Sequence, residues 1–187
     1  MKLRLAHLLA LCALTVISAA PAFAQADEAE KLSIGLGGGI TQTDIGNQPY
    51  WMLNARFRAG YRSTGEEHQG AITGFVEPEI GYWKSTNKSV HGSDTLVGVN
   101  LIGAFPFSAA ESFLGVGVGA HFVDSSLLEN SSNVKGSETK LGVNAQFGLD
   151  LRLTRSLSAF GTGRFDLVQG AKDNVQSKVY LGLRARL

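Results

Sequence analysis

Ten ionisable residues share one alternation of the chain's strand-like segments: Arg56, Arg58, Arg152, Arg164, Arg184 and Arg186, with Glu77, Glu79, Asp150 and Asp166. Guanidiniums and carboxylates on a common face can neutralise one another in a closed interior, or they can line a narrow polar path for ions. Ions held away from water without partners are costly, so a structural ion-pair network is the expected arrangement. Hydrolytic chemistry asks for a different set: a serine nucleophile, a histidine base beside it and a third group orienting the base. The nearest such constellation is His121 with Ser125, Ser126 and Glu129. His121 falls on the charged parity, and no catalytic residue is expected. His68 and His91 stand alone in a turn and a loop, whereas metal binding wants clustered ligands, so neither a metal nor a cofactor is expected. The sequons Asn87-Lys88-Ser89 and Asn130-Ser131-Ser132 mark polar loops and nothing more.

The segments that must position these charges are about eight in number, each with period-two alternation and polar turn material between. They run Lys31 to Thr41, Tyr50 to Arg62, Gly70 to Trp83, Thr95 to Phe107, Ser112 to Asp124, Thr139 to Leu153, Leu157 to Val168 and Ser177 to Leu187. The sixth is the cleanest. Leu141, Val143, Ala145, Phe147, Leu149, Leu151 and Leu153 fall on one parity, while Gly142, Asn144, Gln146, Gly148, Asp150 and Arg152 fall on the other. The second opposes Trp51, Leu53, Ala55, Phe57, Ala59 and Tyr61 to Asn54, Arg56 and Arg58. The last opposes Val179, Leu181, Leu183, Ala185 and Leu187 to Tyr180, Gly182, Arg184 and Arg186. The many glycines and β-branched residues disfavour helix.

The first residues decide which face meets what. Lys2 and Arg4 precede an apolar run from about Leu8 to Val16, and small residues end in Ala22-Phe23-Ala24, the order of a cleavable secretion signal. Residues 1–24 are read as that signal, 25–30 as a short exposed leader and 31–187 as one β domain. Cys12 leaves with the signal, so neither a disulfide nor a thiol site is available to the mature chain. Losing Lys2 and Arg4 from 17 basic residues leaves 15 against 16 acidic ones, a balance without the footprint of a nucleic-acid binder. An exported chain with a continuous apolar face can enter lipid as strands only if the sheet closes and leaves no backbone edge. The fold expected is all-β: an eight-stranded antiparallel up-and-down transmembrane β-barrel.

Connection lengths and aromatics agree with that expectation. With the amino terminus inside, the external loops are Gln42 to Gln48, Lys84 to Asp94, Ser125 to Glu138 and Gln169 to Gln176. The internal turns are Ser63 to Gln69, Ser108 to Glu111 and Thr154 to Ser156, mostly shorter, as membrane barrels require. Outward aromatics form two expected interfacial girdles, Trp51, Tyr82 and Phe122 toward the outer rim and Tyr61, Phe105 and Phe107 toward the inner. Inward glycines at 35, 37, 39, 115, 117 and 119 either leave a cavity beside the charges or relieve crowding and permit curvature.

The signal, the eight segments, Gly115-Val116-Gly117-Val118-Gly119 and Gly148-Leu149-Asp150-Leu151-Arg152-Leu153 leading into Ser158-Ala159-Phe160 resemble the small eight-stranded outer-membrane proteins of the OmpX, OmpW and opacity-protein kind. The resemblance covers the mature chain and lies in pattern. It implies residence in the outer membrane of a Gram-negative cell envelope, contact with outer-membrane lipid and lipopolysaccharide, and handling by the barrel-assembly machinery through the C-terminal strand. That strand ends in Leu187, where the family usually has an aromatic residue. Lipid A deacylases of this architecture carry a His-x-Ser motif on a later strand, and here Arg164-Phe165-Asp166-Leu167-Val168 has neither residue.

Eight strands enclose an interior about filled by side chains, which disfavours a general diffusion porin. The function expected is non-enzymatic: a barrel with a mostly plugged polar lumen, serving envelope integrity or surface interaction through its external loops. A narrow transport path for small solutes is the alternative. A lipid A modifying enzyme and a soluble lipocalin-like barrel rank below it.

Overall fold

A computed structural model describes residues 32–43, 46–62, 72–85, 90–107, 110–129, 132–170 and 175–187. The expected signal and leader lie outside the described residues. Eight strands follow in order: β1 (Leu32–Thr43), β2 (Gly46–Arg62), β3 (Ile72–Lys84), β4 (Val90–Phe107), β5 (Ala110–Glu129), β6 (Ser132–Arg152), β7 (Leu157–Val168) and β8 (Val175–Arg186). Each pairs antiparallel with the next, and β8 returns to β1 with Gly37 opposite Gly182, closing the barrel.

The alternation read from the sequence is what closes it. On β8, Val179, Leu181 and Leu183 are exposed, while Lys178, Tyr180 and Arg184 between them are buried. The same inversion holds on β6, where Leu141, Val143, Phe147, Leu149 and Leu151 are exposed and Asn144, Gln146 and Asp150 are buried. Apolar residues therefore cover the outside and polar ones fill the inside. In water so large an apolar surface would be an aggregation liability; in hydrocarbon it is the matched surface, and the closed ladder leaves no unpaired strand edge along the wall.

Two expectations about strand limits and register are corrected. Ser125 to Glu138 is not a loop: β5 runs on to Glu129 and β6 starts at Ser132, paired from Ser125↔Gly136 to Glu129↔Ser132. The polar composition of that stretch signalled solvent exposure, which a two-stranded ribbon standing clear of the membrane shares with a loop. Similarly β1 and β2 approach one another to Thr43 and Gly46, the latter at φ 99°, a left-handed conformation that glycine adopts without strain. On β2 the register with β3 shifts between Arg58 and Gly60, so Tyr61 stands opposite buried Thr73. Tyr61 belongs to the expected inner girdle, and its side chain lies outside those described. A bulge adds one residue and reverses the parity beyond it, which period-two counting cannot foresee.

Candidate functional site: the charged lumen

The inward charges sort into two tiers by height along the strands. In the tier nearer the chain termini, Arg56 of β2 donates from Nε to Glu77 Oε2 of β3 at 2.5 Å. Arg184 of β8 reaches the same oxygen at 3.4 Å and also donates to Asp150 Oδ2 of β6. Arg186 lies 3.3 Å from Asp150 Oδ1, and Arg56 completes the ring at 3.9 Å from Asp150 Oδ2. Aromatic rings back the guanidiniums: Arg56 sits 4.3 Å over the Phe113 ring and Arg184 4.6 Å over that of Phe160. Planar cations stacked on rings lose water at reduced cost.

In the second tier, Arg164 of β7 pairs with Glu79 of β3 through its Nη1, and its Nε donates to Asp166 Oδ1 at 2.8 Å. Lys178 of β8 holds the other Asp166 oxygen at 2.8 Å, its ammonium 5.1 Å from the Tyr50 ring centre. Gln146 joins the tiers, since its Nε2 donates to Glu77 Oε1 at 3.2 Å and its Oε1 accepts from Tyr180 at 3.3 Å. Tyr180 packs in turn on Tyr50 and Phe160. Buried Arg, Lys, Glu and Tyr side chains therefore form one connected network across the lumen. The glycines of β5 belong to the same packing. A Cβ on Gly117 would lie 2.6 Å from the Val99 carbonyl oxygen and against the Asn100 amide, so this glycine relieves crowding and leaves no cavity.

Model matching of the sequence agrees with the architecture: the family described as outer membrane protein beta-barrel domain matches residues 9–185. The chain belongs to that family. No curated protein sequence matches it. Among solved structures, Neisserial surface protein A has a TM-score of 0.60 at 14% identity, with 83% of this chain and 96% of that one covered. The attachment invasion locus protein Ail of Yersinia pestis, solved with the heparin analogue sucrose octasulfate, has a TM-score of 0.54 at 12% identity, covering 83% and 95%. The outer membrane enzyme PagL has 0.53 at 14% identity, covering 83% and 99%. These similarities establish the fold, and the family places the protein in the Gram-negative outer membrane.

Within this outer-membrane barrel, eight of the ten charges singled out in the sequence come together as ion pairs: Arg56, Glu77, Glu79, Asp150, Arg164, Asp166, Arg184 and Arg186. Two do not. Arg58, beside the register shift, keeps a buried Nε with no hydrogen-bond partner among the described residues. Arg152, the last residue of β6, lies at the mouth of the lumen and is exposed. Lys178 joins the network unforeseen, although it shares the parity of Arg184. Trp51, Tyr82, Phe105 and Phe107 are exposed on the outside, and Phe122 is half-buried. The register strings Trp51, Tyr82, Thr95 and Phe122 in one row across four strands.

His121 also finds a partner that sequence reasoning missed. Its Nδ1 lies 2.8 Å from Asp94 Oδ2 on β4, both side chains being fully buried in the lumen. Asp94 stands at the end of what reads as a loop, and the register Leu96↔His121 places it two residues along β4 from the position opposite His121. The side chains of Ser125, Ser126 and Glu129 lie outside those described. A histidine held by a carboxylate is part of a hydrolytic triad, and the nucleophile would have to stand at Nε2. That nitrogen lies over Gly142 and has no hydrogen-bond partner among the described residues.

Proposed function

We propose that the protein is a non-enzymatic outer-membrane barrel whose lumen is closed by its ion-pair network, and that it supports envelope integrity or surface contact through its external strands. One observation carries the reading. Glu79 on β3 meets Arg164 on β7, and Arg56 on β2 approaches Asp150 on β6. Strands four apart in an eight-stranded ring stand on opposite walls, so these pairs cross the barrel axis. A continuous water path would require them to part. The β4, β5 and β6 extension beyond the end of β7 supports the surface role, because exposed elements on a rigid wall are where contacts are made.

Planar-bilayer recording of the refolded protein tests closure. The expected result is no stepwise conductance from the native chain and discrete openings from a Glu79→Ala, Arg164→Ala double variant. A steady conductance in the native chain, altered in size by Glu79→Gln, would make the lumen a path and overturn the plug.

A further inference from the structure

Among the described residues, the seam between β2 and β3 is the one place where the ladder of the wall is interrupted. β4 and β5 pair without a break from Val90↔Leu127 to Phe107↔Ala110, and β5 and β6 from Ala110↔Leu151 to Glu129↔Ser132. Between β2 and β3 the pairs run from Tyr50↔Trp83 to Asn54↔Glu79, stop, and resume at Phe57↔Val76. The two missing pairs are Ala55 with Pro78 and Arg56 with Glu77. Beyond them only Phe57↔Val76 and Arg58↔Phe75 form before the register shifts toward Gly60.

Pro78 is the cause. It stands at the middle of β3, and its ring nitrogen has no hydrogen to donate. Successive residues of an antiparallel strand bond to alternate neighbours, and on the β4 side Pro78↔Val99 lies in an unbroken ladder. The missing donor therefore faces β2, where the Ala55 carbonyl would have accepted from it. Soluble sheets confine proline to edges and bulges, where no partner loses a bond, but a closed barrel has no edge. Around the gap, Leu53, Ile80 and Val99 are exposed on the apolar wall. The break thus lies in the hydrocarbon belt, where no water replaces the lost bond.

On the lumen side an ion pair spans this break. Arg56 Nε donates to Glu77 Oε2 at 2.5 Å, joining the two residues whose backbone pairing is absent. Glu77 is anchored from behind, by Arg184 of β8 at 3.4 Å and by Gln146 Nε2 of β6 at 3.2 Å. We propose that the β2–β3 seam is where the wall of the folded barrel opens transiently toward the bilayer, and that the Arg56–Glu77 pair is the latch that holds it shut. Opening parts residues 55–58 from residues 75–78 and leaves the Glu79–Arg164 pair across the axis in place. The seam is therefore independent of closure along the lumen.

Residue-resolved hydrogen–deuterium exchange on the full chain, refolded in phospholipid nanodiscs, tests the seam. Val118 and Val143 stand in the same cross-strand row as Pro78, on seams without a break. The amides of Ala55, Phe57 and Val76 should exchange about tenfold faster than theirs, the scale set by one absent hydrogen bond. Pro78→Ala restores the donor and should erase most of that difference. Glu77→Gln weakens the latch and should speed the three seam amides several-fold further while leaving Val118 and Val143 as they are. Should that variant fail to refold, Arg56→Lys, which keeps the charge but lacks the Nε donor, is expected to act in the same direction. Native exchange at the seam as slow as at Val118 and Val143, or an undiminished difference in Pro78→Ala, would overturn the opening. Equal acceleration of all five amides by the latch variant would reduce the pair to general packing and end its assignment as a latch. None of these outcomes bears on conductance through the lumen.

Discussion

A buried ion pair stabilises little compared with an apolar substitute, but removing half of one is expensive, and the lumen sets the two cases side by side. Arg164→Ala would leave Glu79 without its cross-lumen partner, and Glu79→Ala would strand Arg164 beside Asp166 alone. Each is expected to cost about 3–5 kcal/mol in urea unfolding from lipid vesicles, while Glu79→Gln with Arg164→Met should recover most of that loss. A double variant whose loss equals the sum of the two single losses would show that the pair does not act as a unit. Gly117→Ala belongs to the same scale. Its Cβ meets the backbone oxygen of Val99, which cannot swing aside, and a loss of about 1–3 kcal/mol is expected in the same assay. Parity made the faces of these residues legible in the sequence, because side chains alternate strictly along a strand. Their partners were not legible. Pairing depends on height along the axis, and height depends on register, so Lys178 and the His121–Asp94 pair emerge only once strands are aligned.

Strand identity was legible because each element crosses between two unlike media, and alternation is the cheapest way to satisfy both. Strand limits were less so, since a polar ribbon above the membrane and a polar loop have the same composition; β5 and β6 exceed the expected segments for that reason. The shift at Arg58 and Gly60 escaped for another, being one added residue with no chemical mark. β8 offers the clearest test at this scale. Leu181 is 70% exposed and sits halfway along the strand, whereas Ala185 lies near its periplasmic end. Leu181→Arg should destabilise the folded barrel by about 2–4 kcal/mol and Ala185→Arg by about 0–1 kcal/mol, the depth dependence that hydrocarbon imposes. Equal effects at the two positions would mean that β8 does not cross a bilayer.

The whole molecule makes one claim that its parts cannot: the apolar side faces out. An eight-stranded soluble barrel would have the opposite sense, with its oily face around a cavity and its arginines in water. The chain's two tryptophans distinguish these cases, for Trp51 is 61% exposed on the outer wall and Trp83 is 5% exposed inside it. Trp51 lies in a row with Tyr82 toward the external end of the barrel, so its indole is expected at the membrane interface, where aromatic rings with one polar edge settle. In vesicles of brominated phospholipid, a Trp83→Phe variant retains only the outer indole, and its fluorescence should be strongly quenched. Bromine close to the headgroup should quench it more than bromine near the bilayer centre. A Trp51→Phe variant retains only the lumen indole, which the barrel wall separates from acyl chains, and its emission should change little on bromination. Strong quenching of Trp83 with Trp51 spared would turn the barrel inside out. Quenching of both would mean that lipid enters the lumen, and the proposed closure by the ion pairs crossing the axis would fall with it.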